Sequence, residues 1–182
     1  NMGLLNGGPV LWDPSGTYVW NCLHYNWSNL QPIPPGAKKF DMTACNSLAV
    51  KVLEPLTRYS LRYDNDGLAF DLEWRASGPM HELKSSDPGQ QAAQKFHMEQ
   101  PGRLSGDLWL DGRHHAVDCH SMRDTSYGPR VYARSSSGGY FWGIADRSAD
   151  HFLLAPLALG DGVKGAAVGN TPEIAAAGGP GV

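Results

Sequence analysis

The sequence has little charge and no long apolar run. Only 18% of its 182 residues are charged, and 15 basic against 18 acidic side chains give a formal net charge of −3. Without a block of like charge, the chain offers no broad electrostatic surface for nucleic acid. No apolar segment approaches the roughly 20 residues that span a bilayer. We therefore expect no nucleic-acid partner and no membrane span.

Cysteine is also scarce. Cys22, Cys45 and Cys119 are far apart in sequence and form no CxxC pair. An odd number at this spacing argues against a disulfide framework and for a reducing compartment. The chain also lacks the charged-then-apolar run of a secretion signal, so we expect a cytoplasmic protein.

Glycine and proline are in excess, with 22 and 13 residues and no triplet period. This composition indicates many turns between short elements and an all-β chain. The side chains of residues 17–27 alternate between two faces, and both faces carry large residues. This pattern is typical of a strand in a β-barrel whose interior is filled by side chains or holds a ligand. After residue 155 glycine and alanine dominate and aromatic residues stop. We expect a β-barrel domain over residues 1–155 and, over 156–182, a tail, a linker or a remnant of a second domain.

Two hairpins are predicted. The first joins 59–63 to 68–74 through Asp64-Asn65-Asp66-Gly67, and its even loop puts the apolar residues of both strands on one face, with opposite charges across the other. The second joins 103–110 to 114–122 through Asp111-Gly112, with leucines on one face. Its other face gathers mostly titratable groups, namely Asp107, Trp109, His114, Asp118, His120 and Asp124.

Functional groups are densest in 97–103 and 122–130. Gly128-Pro129 predicts a bend that presents Arg123, Asp124 and Tyr127 around a corner. In one interpretation Asp124 is a general acid or base whose pKa is raised by surrounding aromatic rings. In the other interpretation, Arg123 and Asp124 belong to an ion-pair network with a purely structural role. Both interpretations stay open at this point.

Metal and nucleophilic chemistry receive less support. His97 and Glu99 lie two apart on a predicted strand and face the same way, so a histidine–carboxylate metal site is an alternative. None of the established zinc spacings such as HExxH is present, however, and we expect no metal. There is no GxSxG elbow and no glycine-rich phosphate loop before a helix, and we expect no cofactor.

The most specific motif is Arg123-Asp124-x-Ser126-Tyr127-Gly128-Pro129-Arg130. With Trp12-Asp13, residues 53–59, residues 100–106 and Val117-Asp118-Cys119, it resembles the bacterial AttH-like proteins, which are related to carotenoid 1,2-hydratases and fungal kievitone hydratase. The resemblance covers about residues 12–155. It implies two antiparallel lipocalin-like β-barrels side by side, of which this chain holds the first and lacks most of the second. The partners would then include a second barrel domain or a homodimer.

The resemblance and the polar hairpin face together predict an acid-catalysed hydratase, dehydratase or isomerase, a lyase-like enzyme acting on a hydrophobic, isoprenoid-like or polycyclic small molecule. The alternative is a non-catalytic lipocalin-like binder of a lipophilic molecule. The catalytic interpretation requires Asp118 and Asp124 to be enclosed, and carboxyl groups outside in water would argue against it. The catalytic candidates are Asp124, Asp118, His120 and Tyr127, and the substrate-binding candidates are Trp20, His24, Tyr25, Trp109, Arg123 and Trp142.

Overall fold

The computed structural model describes residues 4–16, 21–38, 40–82 and 96–127, together with the backbone of four later strands, 137–138, 141–144, 151–159 and 162–169. Its named elements are β-strands, which confirms the all-β class. No helix in the described residues is long and apolar enough to cross a membrane. The chain divides into two compact units, the first formed by 1–75 and 104–119, the second by 76–103 and 120–182.

The strands follow one another as β1 (Leu4–Gly7), β2 (Val10–Leu11), β3 (His24–Tyr25), β4 (Ser28–Pro32), β5 (Met42–Thr43), β6 (Ala49–Glu54), β7 (Arg58–Asn65), β8 (Leu68–Ala76), β9 (His81–Glu82), β10 (Phe96–Leu110), β11 (Arg113–Tyr127), β12 (Ser137–Gly138), β13 (Phe141–Ile144), β14 (His151–Leu159) and β15 (Gly162–Gly169).

The largest sheet has the order β11-β10-β8-β7-β6-β5, and β9 also pairs with β10. Two small sheets join β1 to β4 and β2 to β3, and a fourth contains β12 to β15. Within the described residues the large sheet ends at β5 and β11 without a pairing between them, so barrel closure stays a prediction. The predicted domain boundary at residue 155 falls inside β14, which pairs along its length with β15.

The first predicted hairpin is confirmed. β7 and β8 meet at Asp66 and Gly67, whose φ values of 51° and 78° give the left-handed turn that matches strand twist. The register pairs Tyr59 with Trp74 and Asn65 with Leu68. The predicted apolar face forms the core of the first unit, where Tyr59, Tyr63, Leu68, Leu72 and Trp74 are buried.

The other face of this hairpin carries the predicted charge pairs. Arg58 donates two hydrogen bonds to Glu73, at 2.9 and 2.8 Å. Arg62 lies 3.0 Å from Asp71, and both side chains are exposed. An exposed pair such as Arg62–Asp71 contributes about 0–1 kcal/mol, less than the burial of the aromatic face of the hairpin.

The second hairpin is longer than predicted. β10 begins at Phe96 and β11 continues to Tyr127 around the expected turn at Asp111 and Gly112, with φ values of 49° and 76°. Residues 97–102 are buried in succession, whereas exposure alternates over 103–110. The predicted corner is wrong for Arg123, Asp124 and Tyr127, which lie along β11 because 96–100 offer a partner strand for their backbone groups.

The amino-terminal part of the first unit is tied down by polar side chains. Residues 17–20 of the predicted strand 17–27 lie outside the described ones, and His24–Tyr25 is the strand that follows. His24 is buried, and its Nε2 lies 3.1 Å from the Tyr63 hydroxyl. Asn26 donates a hydrogen bond to the same hydroxyl at 2.6 Å. The side chain of Tyr25, the next residue on β3, points to the other side of the strand and is exposed. This network fixes β3 to the aromatic core of its own unit.

Candidate active site

A mixed cluster of one histidine and two carboxylates lies in the second unit. Nε2 of His97 is 3.6 Å from Oε1 of Glu99 and 3.2 Å from Oδ1 of Asp124. One ligand atom from each of the three side chains lies within 4.8 Å of the other two. These groups belong to facing strands of one hairpin, so a short stretch of regular backbone sets their separation.

The hairpin turn explains why these residues meet. Glu99 and Asp124 are equally far from Asp111-Gly112 in sequence, and a two-residue turn brings equidistant residues opposite one another. Two further equidistant pairs are in contact in the same unit. Gln100 accepts a hydrogen bond from Arg123 at 3.1 Å. The rings of Phe96 and Tyr127 stack with centroids 4.8 Å apart.

The three members differ greatly in exposure. The side chain of Glu99 is 5% exposed and that of His97 10%, whereas Asp124 is 52% exposed. Oε2 of Glu99 is buried without a hydrogen-bond partner among the described residues. Burial raises the pKa of the Glu99 carboxyl, the negative charge of Asp124 raises it further, and His97 opposes both. Glu99 is therefore the carboxyl group that its surroundings favour in the neutral, proton-donating form.

β9 adds a further titratable group to the sheet face that carries Glu99 and Asp124. The β9–β10 ladder pairs His81 directly with Glu99 and Glu82 with Met98. Residues directly opposite in an antiparallel pair share a face of the sheet. Glu99 thus faces His81 from one neighbouring strand and Asp124 from the other.

The opposite face of the same strands holds different chemistry. The guanidinium of Arg123 donates to Gln100 at 3.1 Å and lies 3.8 Å from the sulfur of Met98. Gln100 is buried and donates in turn to the carbonyl of Gly78 at 3.3 Å. Strand alternation therefore separates Arg123 and Tyr127 from the Asp124 carboxylate, although all three were predicted as site residues.

The other predicted catalytic residues lie elsewhere. Asp118 is exposed and belongs to the first unit, and His120 is half-buried in the second. In the first unit Asp107 and His114 form an exposed pair at 2.6 Å, and the Trp109 ring lies 5.2 Å from that of His114.

The substrate-binding candidates are likewise divided. His24, Tyr25 and Trp109 belong to the first unit, where His24 is buried and the other two are exposed. Arg123 belongs to the second unit. Trp20 lies outside the described residues, and Trp142 is described only by its backbone on β13.

The residues missed as site members are Glu99 and His97. Strand alternation predicts that the side chains of His97 and Glu99 point to the same face. Because the predicted hairpin began at residue 103, however, it did not include these two residues, and their proximity to Asp124 was not predicted. Counting outward from Asp111-Gly112 in both directions pairs Glu99 with Asp124 and is a signal that the sequence already contains.

The donor set of the cluster, an imidazole and two carboxylates, is also one that divalent cations accept.

One comparison with known proteins finds a match. The family described as "Domain of unknown function (DUF7064)" matches residues 24–169, which include both hairpins and the whole cluster. No curated protein and no solved structure matches the chain.

Proposed function

Since the chain belongs to the DUF7064 family, whose function is unknown, we propose its function from its own side chains: an acid–base hydratase, dehydratase or isomerase acting on a hydrophobic small molecule. Glu99 is the proton donor. The single observation that carries the proposal is its carboxyl group, 5% exposed, with Oε2 lacking a hydrogen-bond partner in the described part of the chain. A carboxylic acid kept neutral by burial is the group that donates a proton near neutral pH.

The proposal changes the residue assigned as donor. Asp118 and Asp124 are exposed, so neither has the enclosure expected of the proton donor. Asp124 is suited to the complementary role of base, because its exposed carboxylate reaches solvent water. Two carboxyl groups in different surroundings divide the work of acid and base.

The reaction follows from these two roles. Glu99 transfers its proton to one carbon of an alkene, and the other carbon becomes a carbocation. The negative charge of Asp124 stabilises that cation electrostatically. Asp124 then accepts a proton, either from a water molecule that attacks the cation, giving an alcohol, or from a neighbouring carbon, giving an isomeric alkene. The reverse sequence dehydrates an alcohol.

The substrate is neutral and electron-rich in this proposal. An anionic group next to Asp124 would meet a like charge. An alkene bearing alkyl groups forms the more stable cation, which agrees with the isoprenoid-like substrates that the AttH-like resemblance implies. The lipocalin-like barrel implied by the same resemblance is part of the proposal, with the described open sheet as a portion of its wall.

Deuterium uptake tests the chemistry without knowledge of the final product. The full chain is incubated in D₂O with squalene, linalool or geraniol, and the recovered compound is analysed by mass spectrometry. We expect carbon-bound deuterium with the wild type and its loss in Glu99→Gln. Glu82→Gln is the matched control, because Glu82 lies on β9 in the same unit but is exposed.

Each other outcome decides against the proposal in a different way. A compound that binds without exchange indicates the non-catalytic lipophilic binder. Exchange that Glu99→Gln leaves intact in a folded protein removes Glu99 as donor. Exchange that stops with a chelator and returns with an added divalent cation replaces proton donation with metal chemistry at this cluster.

A further inference from the structure

The order of exposure across the cluster suggests how Glu99 regains its proton. Glu99 is 5% exposed, His97 is 10% exposed and Asp124 is 52% exposed. A buried acid that has given up its proton cannot take one directly from bulk water. It needs a neighbouring group that reaches both the interior and the solvent side.

The Nε2 atom of His97 occupies that intermediate place. It lies 3.6 Å from the Glu99 carboxyl and 3.2 Å from the Asp124 carboxyl. Imidazole is the side chain whose protonated and neutral forms are both accessible near neutral pH. We infer that His97 carries protons between Asp124 and Glu99 and so resets the donor after each turnover; this inference rests on the proposed function.

The proton is conserved in each step. After Glu99 has protonated the substrate, the imidazolium of His97 gives its Nε2 proton to the Glu99 carboxylate and becomes neutral. The same nitrogen then accepts the proton that Asp124 took up as base, and Asp124 returns to the carboxylate. In net terms, the proton released in the second half of the reaction returns to the group that supplied it in the first half.

The other titratable neighbour is placed differently. His81 faces Glu99 from β9 through direct cross-strand pairing, on the side away from β11 and Asp124. His97, by contrast, contacts both carboxyl groups with one atom. The inference therefore assigns the transfer to His97.

The test follows the proton on Glu99 itself and needs no substrate. Infrared difference spectroscopy detects the carbonyl stretch of a protonated carboxyl group, and its absence in Glu99→Gln assigns the band. After a rapid pH drop from a pH at which the band is lost, the rise of the band gives the rate of Glu99 protonation. We expect this rate to fall by about 100-fold or more in His97→Phe, in line with the usual contribution of a positioned acid–base group.

Three further variants make the result specific. Asp124→Asn is expected to slow the rise as well, and it alters an exposed side chain, so it is informative even where His97→Phe does not fold. Added imidazole is expected to restore the rate in His97→Ala. His114→Phe is expected to leave the rate unchanged; His114 is a histidine paired with aspartate in the first unit.

Two failures are distinguishable. If the Glu99 band is present but rises equally fast in the wild type, His97→Phe and Asp124→Asn, the transfer role is overturned and the proposed function stands. If no protonated Glu99 band exists near neutral pH, the proposed function fails, and the inference fails with it.

Discussion

The Nε2 atom of His97 lies 3.2 Å from Oδ1 of Asp124 and joins a buried imidazole to an exposed carboxylate across β10 and β11. The same nitrogen is 3.6 Å from the buried carboxyl of Glu99. One ring therefore lies close to two carboxyl groups that differ greatly in exposure. This arrangement leads to predictions for stability as well as for chemistry.

The first prediction concerns pH and Glu99. Its folded-state pKa is raised above the ordinary value of 4.5, so between the two values the folded protein binds more protons than the unfolded chain. The free energy of unfolding therefore falls as pH rises through this interval, and the contribution is fully retained below 4.5. Glu99→Gln removes the titration. Urea unfolding at about pH 5 and about pH 8 should show the wild type losing stability relative to this variant. A difference that is independent of pH would contradict the prediction.

The second prediction concerns Arg123. Its guanidinium donates to the side-chain carbonyl oxygen of Gln100, a buried residue. Arg123→Met should reduce the free energy of unfolding by about 1–3 kcal/mol, because a buried acceptor loses this partner. Arg62→Met, which breaks an exposed pair with Asp71, should cost at most about 1 kcal/mol in the same urea titration. Equal losses in the two variants would show that the Arg123 contact is not structural.

The extent to which the sequence predicts this molecule depends on how local the determining signal is. The β7–β8 hairpin follows from Asp66-Gly67 and alternating aromatic residues, so its register, core face and charge pairs were all predictable. The second turn was equally predictable at Asp111-Gly112. The length of its strands was not, because residues 97–102 are buried on both faces and show no alternation of apolar and polar side chains.

Burial of individual carboxyl groups was the other limit. Asp124 and Glu99 are both acidic residues on predicted strands, and the sequence does not distinguish their environments. Glu99 also has a neighbouring strand in β9, which pairs with β10 at His81 and Glu82, a contact that no local pattern indicates. The sequence therefore pointed to the hairpin that carries the cluster, but to Asp124 rather than Glu99 as the enclosed carboxyl group.

The third prediction concerns Tyr63. Its hydroxyl accepts a hydrogen bond from Asn26 and contacts the buried ring nitrogen of His24. Tyr63→Phe should lower the free energy of unfolding by about 1–3 kcal/mol, since it leaves polar groups without this partner. Tyr25→Phe removes the hydroxyl of an exposed ring and should change stability by less than about 0.5 kcal/mol. If thermal unfolding shows comparable losses of stability for Tyr63→Phe and Tyr25→Phe, the hydrogen bonds of the Tyr63 hydroxyl are not the cause.

The fourth prediction concerns Gly106 on β10. A side chain there would run into the backbone carbonyl oxygen of Asp71, and the φ of 138° is itself unfavourable for other residues. Gly106→Ala should therefore be more destabilising than Gly36→Ala. Gly36 also has a positive φ, of 76°, but a methyl group there would meet no atom within 4 Å. Urea midpoints of the two variants give the comparison, and a smaller effect at Gly106 would show that β10 shifts readily.

The two-residue turn at Asp111 and Gly112 has a further consequence for how the family can change over evolution. Side chains on a strand alternate between faces, so inserting one residue between Gly112 and Asp124 would send the carboxylate to the side where Arg123 now lies. All three members of the cluster would still be present in such a sequence, yet the cluster would be gone. Insertions and deletions in one strand of this hairpin should therefore be matched by equal ones in the other, and spacing is a better guide than residue identity to which relatives keep the site.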